Sequence, residues 1–232
     1  MFYPMYYMDP TYVLVIFAFV LSLIASFGVK RTFSKYSGVR NVRGMTGRDA
    51  AREILDRNGL RNISIEHVAG DLTDHFDPKA NVIRLSDATY NSTSVAAIGV
   101  AAHEAGHAVQ HAVGYTPIKV RNSIVPFVNI GSSLSMPLFF IGLLMGLEQL
   151  AFAGVLLFSA VLVFQLVTLP VEFNASSRAL EILDSTGMLT VNEVKQAGKV
   201  LKAAAMTYVA AVASTALQLL RLLLILNNRR RD

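Results

Sequence analysis

The chain has 232 residues, of which 53% are hydrophobic and only 16% are charged, and its formal net charge is +5. A composition this apolar excludes an ordinary soluble protein, and several membrane-spanning helices explain it most simply. Cysteine is absent, which excludes disulfides and thiolate ligands and leaves histidine and carboxylates to bind a metal. Because no nucleic-acid-binding motif occurs, the positive charge indicates contact with anionic lipid headgroups rather than nucleic acid.

The first segment, residues 1–29, is predicted to be a transmembrane anchor. Thr11 to Gly28 is an uncharged apolar run without the basic start and small-residue cleavage site of a signal peptide. Basic residues follow it directly, and they are Lys30, Arg31, Lys35, Arg40, Arg43 and Arg48. Since cytoplasmic loops are rich in Lys and Arg, the chain from residue 30 is predicted to be cytoplasmic, with the N-terminus outside. A substrate-binding basic patch is a further interpretation of the same residues.

Residues 30–122 are predicted to form a small catalytic domain. A T-x-x-D start at Thr46 begins a helix, which ends at Asn58-Gly59. Runs of strand-forming residues follow it, and the last two of them read as an antiparallel β-hairpin. These predicted strands are residues 63–68, 72–76 and 81–85.

The motif H-E-x-x-H occurs once, as His103-Glu104-Ala-Gly-His107. Residues i and i+4 lie on one face of a helix, so His103 and His107 can bind one metal ion. Glu104 can then reach a metal-bound water without being a ligand, which is the position of the general base in zinc peptidases. A buried helix whose histidines bond to backbone is the alternative, but three ionisable groups are costly to bury there without a metal. The motif therefore predicts a catalytic site with one Zn²⁺ per chain.

Catalytic zinc needs a third protein ligand and leaves its fourth position to water. His111 lies eight residues after His103, which is about 12 Å along a helix and too far for one metal. A carboxylate or one of the upstream histidines, His67 and His75, must then supply the ligand. Glu172 is the best candidate, because an unpaired charge at the end of a long apolar segment is costly and is expected there only where it has a function.

Three further apolar stretches follow the motif, and two of them predict a transmembrane hairpin over residues 123–170. The hairpin returns the chain to the catalytic side, where Glu172 can meet the motif histidines. Residues 171–202 are predicted to form the third-ligand helix and an amphipathic helix, and residues 203–232 a last transmembrane helix with a basic tail. Four full crossings would place that tail outside, against the positive-inside tendency, so a last segment that does not fully cross is an alternative.

The chain resembles the YugP-like family of membrane zinc metallopeptidases. The segments HEAGHAVQHA, the preceding DHFDP, and VEFNASSRAL after a hydrophobic pair carry the resemblance, which covers nearly the whole length. More distantly the chain resembles the HtpX and CAAX-prenyl-protease group, gluzincins in which a Glu is the third zinc ligand. In that group an Asp four residues after this Glu orients a ligand histidine. In this sequence Ser176 stands at that position. Ser176, Asn174 or a carboxylate elsewhere in the chain is therefore expected to hold the imidazole instead.

The apolar stretches and the resemblance together imply a mainly α integral membrane protein. About four transmembrane helices would accompany a small α+β zincin-like domain, made of a short antiparallel sheet and the HExxH helix. The resemblance also implies that residues 81–86 form an edge strand, to which an extended substrate adds as a further strand. His75 is a candidate oxyanion donor, or stabilises only the turn with Asp77. Arg178 is a candidate for polarising the scissile carbonyl, although an ion pair with Glu181 is favoured on frequency.

These observations predict a gluzincin-type metalloendopeptidase of a bacterial-type plasma membrane, multi-pass, with its catalytic side cytoplasmic. The expected substrate is a peptide or a membrane protein, and small residues in 123–146 or 203–216 would allow a homo-oligomer. A non-proteolytic membrane scaffold is the alternative, and its structural zinc would be closed by a fourth protein ligand. A small transporter or channel is disfavoured, because the apolar stretches carry few ionisable groups.

Overall fold

The computed structural model describes residues 10–229. In chain order the elements of this part are α1 (Tyr12–Ser37), α2 (Gly47–Arg57), β1 (Ser64–Val68), β2 (His75–Asp77), β3 (Val82–Ser86), α3 (Val95–Ala112), α4 (Thr116–Met145), α5 (Glu148–Ser185) and α6 (Val191–Arg229). The chain forms two compact units. The described residues of the first unit fall within Met1–Ala25, Ser123–Leu166 and Tyr208–Asp232, and those of the second within Ser26–Asn122 and Val167–Thr207.

Within residues 10–229, four helices are long and apolar enough to cross a membrane, namely α1, α4, α5 and α6. The predicted mainly α membrane fold with a small α+β part is thereby confirmed. One detail of the helices differs from the sequence-based segments, because α5 runs without a break through Pro170. A proline removes one backbone donor, and helices in membranes tolerate this where neighbouring groups satisfy the freed carbonyl.

In the first unit, helices pack through small residues. A Cβ atom on Gly154 of α5 would lie 2.6 Å from the backbone nitrogen of Phe139 and the carbonyl oxygen of Ser135, both in α4. Only glycine allows so close an approach of the two helices. Across the α1–α6 contact, the hydroxyl oxygens of Ser22 and Ser214 lie 3.0 Å apart.

In the second unit, a three-stranded sheet has the strand order β1-β3-β2. β1 pairs with β3 in parallel, and β2 pairs with it antiparallel, so the sheet is mixed rather than wholly antiparallel. The prediction that residues 81–86 form an edge strand is wrong, because β3 has a partner on each side. The burial pattern agrees with a central strand, since four of five β3 residues are buried whereas β1 is mostly exposed.

The core of the second unit is formed mainly by α2 and α3. α2 begins at the predicted capping box, in which Thr46 Oγ1 accepts from the backbone of Asp49 at 3.2 Å. Its apolar stripe packs on the alanine-rich face of α3. The buried side chains that the two helices contribute include Ala50, Ala51, Ile54, Leu55, Ile98, Ala101, Ala102 and Ala105.

Candidate metal centre

The motif helix α3 lies very close to α5. A Cβ atom on Gly106 would be 2.7 Å from the backbone carbonyl oxygen of Ala175. A backbone atom cannot move aside as a flexible side-chain end can, so glycine is required between the two histidines. The approach brings the motif residues within reach of the α5 turn that carries Glu172.

Three side chains converge between α3 and α5. Glu172 Oε2 lies 3.3 Å from His103 Nε2 and 3.5 Å from His107 Nε2, and one ligand atom from each residue lies within 4.8 Å of the others. Zinc bonds of 2.0–2.2 Å in a tetrahedron place ligand atoms about 3.4 Å apart. The two distances to Glu172 therefore match those expected between ligands of one zinc ion.

The chemistry of the three side chains also fits a cation. Glu172 is only 3% exposed, and its Oε2 accepts no well-formed hydrogen bond from the described residues. The two imidazole Nε2 atoms face this buried oxygen at distances too long for good hydrogen bonds, and a metal ion between the three atoms would bind all of them. The predicted third ligand, Glu172, is thus brought together with His103 and His107.

Electrostatics at His107 agree with this arrangement. Burial lowers the pKa of the His107 ring, but its contact with Glu172 and the charges of Glu104 and Glu172 outweigh burial and raise the pKa above its ordinary value. The two carboxylates thus create a negative potential at this ring, which favours a bound cation.

Glu104 is adjacent to the three side chains but is not one of the grouped ligands. It is 8% exposed, and its carboxylate makes no hydrogen bond or ion pair with residues 10–229. Its charge acts on His107. A carboxylate held near the site without a protein partner remains available to a water molecule.

The Nδ1 atoms of both histidines have hydrogen-bond partners, which leaves their Nε2 atoms available to bind the metal. His103 Nδ1 lies 3.1 Å from Ser176 Oγ, in the position that the sequence singled out. His107 Nδ1 lies 3.0 Å from Gln110 Oε1. Sequence reasoning missed Gln110, although its spacing of three residues from His107 on one helix face was the available signal.

Gln110 connects His107 to α5. Its Nε2 donates to the carbonyl oxygen of Val171 at 2.8 Å and to Asn174 Oδ1 at 2.9 Å. Asn174 Oδ1 also accepts from Arg178 Nε at 2.8 Å. Asn174 therefore supports His107 through Gln110. Arg178 makes this bond rather than the favoured ion pair with Glu181, which is not among the ion pairs of the described residues.

The upstream histidines lie outside the group of ligands. His75 is exposed on β2, where Nδ1 contacts the carbonyl oxygen of Thr73 at 2.9 Å and Nε2 lies 3.4 Å from Arg84. His67 Nε2 lies 2.6 Å from Asp87 Oδ1. Among the described residues, a carboxylate rather than an upstream histidine completes the group. The oxyanion role of His75 stays a prediction.

The family described as "Putative neutral zinc metallopeptidase" matches residues 11–227. The chain belongs to this family. A relative in Bacillus subtilis (strain 168), described as "Putative membrane protease YugP", is 49% identical over 217 residues, which cover 94% of this chain and 96% of that protein. No solved structure matches the chain. The resemblance on which the sequence analysis relied is confirmed, and this family member is a membrane protein of the zinc peptidase class.

Proposed function

We propose that this metallopeptidase family member is a membrane-embedded zinc-dependent endopeptidase that cleaves peptide bonds at the cytoplasmic membrane face. One observation carries the proposal. The ligand atoms of His103, His107 and Glu172 lie within 4.8 Å of one another, beside a Glu104 carboxylate without a protein partner. Three protein ligands and an adjacent free carboxylate are the arrangement of catalytic rather than structural zinc.

The residues have distinct roles in this mechanism. His103 and His107, through Nε2, and Glu172, through Oε2, would hold one Zn²⁺ per chain. When bound, zinc supplies Lewis acidity to the attacking water and to the scissile carbonyl. Glu104 accepts a proton from that water and later donates it to the leaving amine nitrogen. Ser176 and Gln110 keep the two imidazoles oriented.

We assign substrate binding to β2 in place of β3. Among the described residues β2 is an edge strand of the sheet, and it packs against α3. Its Phe76 ring meets the His111 ring edge-on at 6.0 Å between centroids. An extended peptide adding to this edge would run beside the motif helix.

Hydrogen exchange tests this assignment. A peptide substrate added to the zinc-loaded, inactive Glu104→Gln variant should slow exchange of backbone amides in β2, because new inter-strand bonds protect them. The amides of β1, at the opposite edge of the sheet, are the internal control. Protection at β1 with none at β2 would reject the assignment.

The cytoplasmic orientation is testable because the chain contains no cysteine. Lys79 is exposed in the second unit, and Gln149 is exposed at the α4–α5 corner. We expect a membrane-impermeant maleimide to label Lys79→Cys only in inside-out vesicles and Gln149→Cys in intact cells. The reverse pattern would place the zinc site outside.

The alternative scaffold function requires a closed zinc site. Within residues 10–229, no fourth His, Cys, Asp or Glu joins the three grouped ligands, which supports catalysis over a structural site. The substrate we propose is a peptide or a membrane protein at the bilayer surface. Homo-oligomerisation stays a prediction, and one residue of the small-residue stretch 203–216, Ser214, already bonds to Ala18 of α1.

A further inference from the structure

The geometry points to Gln110 as the residue that sets the tautomer of His107, with Asn174 and Arg178 fixing the orientation of Gln110. These three are positioning residues, and the inference rests on the proposed zinc site. It assigns a role to a chain of hydrogen bonds that ends outside the group of ligands.

The direction of each bond follows from groups whose polarity cannot change. A guanidinium only donates, so the contact of Arg178 Nε at 2.8 Å requires the oxygen of the Asn174 amide at that point. The backbone carbonyl of Val171, 2.8 Å from the Gln110 amide, only accepts. The Asn174 oxygen and the Val171 carbonyl are both acceptors, so the side-chain nitrogen of Gln110 must face them. The side-chain oxygen of Gln110 must then face His107.

An acceptor at 3.0 Å from Nδ1 requires that His107 carry its proton there. The lone pair of the neutral ring is then on Nε2, which is the atom that faces Glu172. The other tautomer would direct an N–H at the metal position. Gln110 is fully buried, so water cannot replace a lost partner, and an unsatisfied amide would be costly.

His103 lacks such a constraint. Its Nδ1 contacts the hydroxyl of Ser176, and a hydroxyl can either donate or accept. The tautomer of His103 is therefore not dictated by polarity. This difference supplies an internal control for an experiment on His107.

The test measures the ring ¹⁵N shifts of His107 in metal-free protein, at a pH where the ring is neutral, together with zinc Kd by chelator competition. Wild type should show the Nδ1–H tautomer. Gln110→Leu should give a mixture of tautomers and a zinc Kd raised about 10- to 100-fold. Asn174→Leu, which keeps Gln110, should shift both in the same direction by less, and it serves if Gln110→Leu does not fold. Ser176→Ala should leave the His107 shifts unchanged.

An unchanged His107 tautomer and zinc Kd in Gln110→Leu would overturn the inference. Failure of the proposed function is distinguishable from this result. A wild type that binds no zinc would reject the zinc site, whereas the tautomer in metal-free protein would still report on Gln110.

We infer that a band of cations in the second unit, next to the apolar stretches of three helices, binds the headgroups of anionic phospholipids. Its members stand where an apolar stretch ends in α1 and where one begins in α4 and α6. They are Lys30, Arg31, Lys119, Lys199 and Lys202, all of them exposed.

Ion pairing separates this band from four other basic residues of the second unit. Among the described residues, no member of the band pairs with a carboxylate. Arg43, Arg52, Arg57 and Arg84, in contrast, pair with acidic side chains at N–O distances of 3.8, 2.9, 2.8 and 3.3 Å. Cations beside uncharged apolar helices have the phosphates of the bilayer as their nearest source of negative charge.

The experiment counts the anionic lipids that the full chain retains from nanodiscs containing phosphatidylglycerol and phosphatidylcholine. The test variant combines Lys30→Gln, Arg31→Gln, Lys119→Gln and Lys202→Gln, and it should retain fewer phosphatidylglycerol molecules than wild type. A control that loses the same charge, Arg43→Gln, Arg57→Gln, Arg61→Gln and Lys79→Gln, should retain as many as wild type. Equal retention by test variant and wild type, or equal loss in both variants, would reject the inference.

Discussion

Glu104→Gln is expected to abolish measurable peptide hydrolysis while leaving the zinc content of the protein unchanged. The amide keeps the size of the side chain but cannot accept the proton of the attacking water. General acid–base catalysis contributes about 10²- to 10⁴-fold to rate, so kcat should fall by at least about 10²-fold. The measurement is kcat on a fluorogenic peptide in detergent, beside zinc by mass spectrometry.

The zinc measurement makes this result interpretable. Glu104 is outside the group of ligands, so loss of activity with full zinc content separates a failed proton transfer from a failed metal site. Turnover at the wild-type rate in Glu104→Gln would contradict the mechanism and favour the structural-zinc scaffold.

Gly106→Ala is expected to lose zinc although no ligand is changed. The added Cβ would lie 2.7 Å from the carbonyl oxygen of Ala175, and relief of the clash requires α3 and α5 to move apart. Overpacking of this kind typically costs about 1–3 kcal/mol. Here the displacement also separates the motif histidines from Glu172. We expect a zinc Kd raised by at least about tenfold, because preorganised ligand distances are lost.

Gly198→Ala is the matched control, since it is the same change in a helix of the same unit. The nearest atoms to its Cβ would be Leu180 Cδ1 at 3.4 Å and Leu180 Cδ2 at 3.8 Å, and both are ordinary contacts. An alanine in a helix interior is favoured over glycine by about 1 kcal/mol, so this variant should keep zinc and unfold at a slightly higher temperature. If Gly106→Ala bound zinc as tightly as Gly198→Ala, the close approach of α3 and α5 would not determine the site.

The grouping of His103, His107 and Glu172 was largely predictable, because a set of possible metal ligands leaves a local pattern in the sequence. His103, Glu104 and His107 follow from helix periodicity. Glu172 follows from the cost of a carboxylate beside an apolar segment, together with a hairpin that returns the chain. The helices were predictable for the same reason, since long uncharged stretches have few alternatives to crossing a membrane.

The features that sequence did not predict depend on contacts between distant segments. Residues 72–76 and 81–85 read as a hairpin, but nothing local indicated that β1 would pair on the other side of β3, which removes the edge from that strand. Gln110 and Arg178 acquire their roles only because α5 returns to α3. Spacing alone suggested an ion pair between Arg178 and Glu181, whereas in the fold Arg178 donates a hydrogen bond to Asn174.

Zinc content of detergent-purified protein, wild type beside Glu172→Ala, tests the central claim most directly. About one zinc ion per wild-type chain and sharply less in the variant is the result we predict, because two imidazoles alone hold zinc weakly. Full zinc in Glu172→Ala would contradict the account, since the third ligand would then lie elsewhere and the closeness of Glu172 to both Nε2 atoms would have another cause.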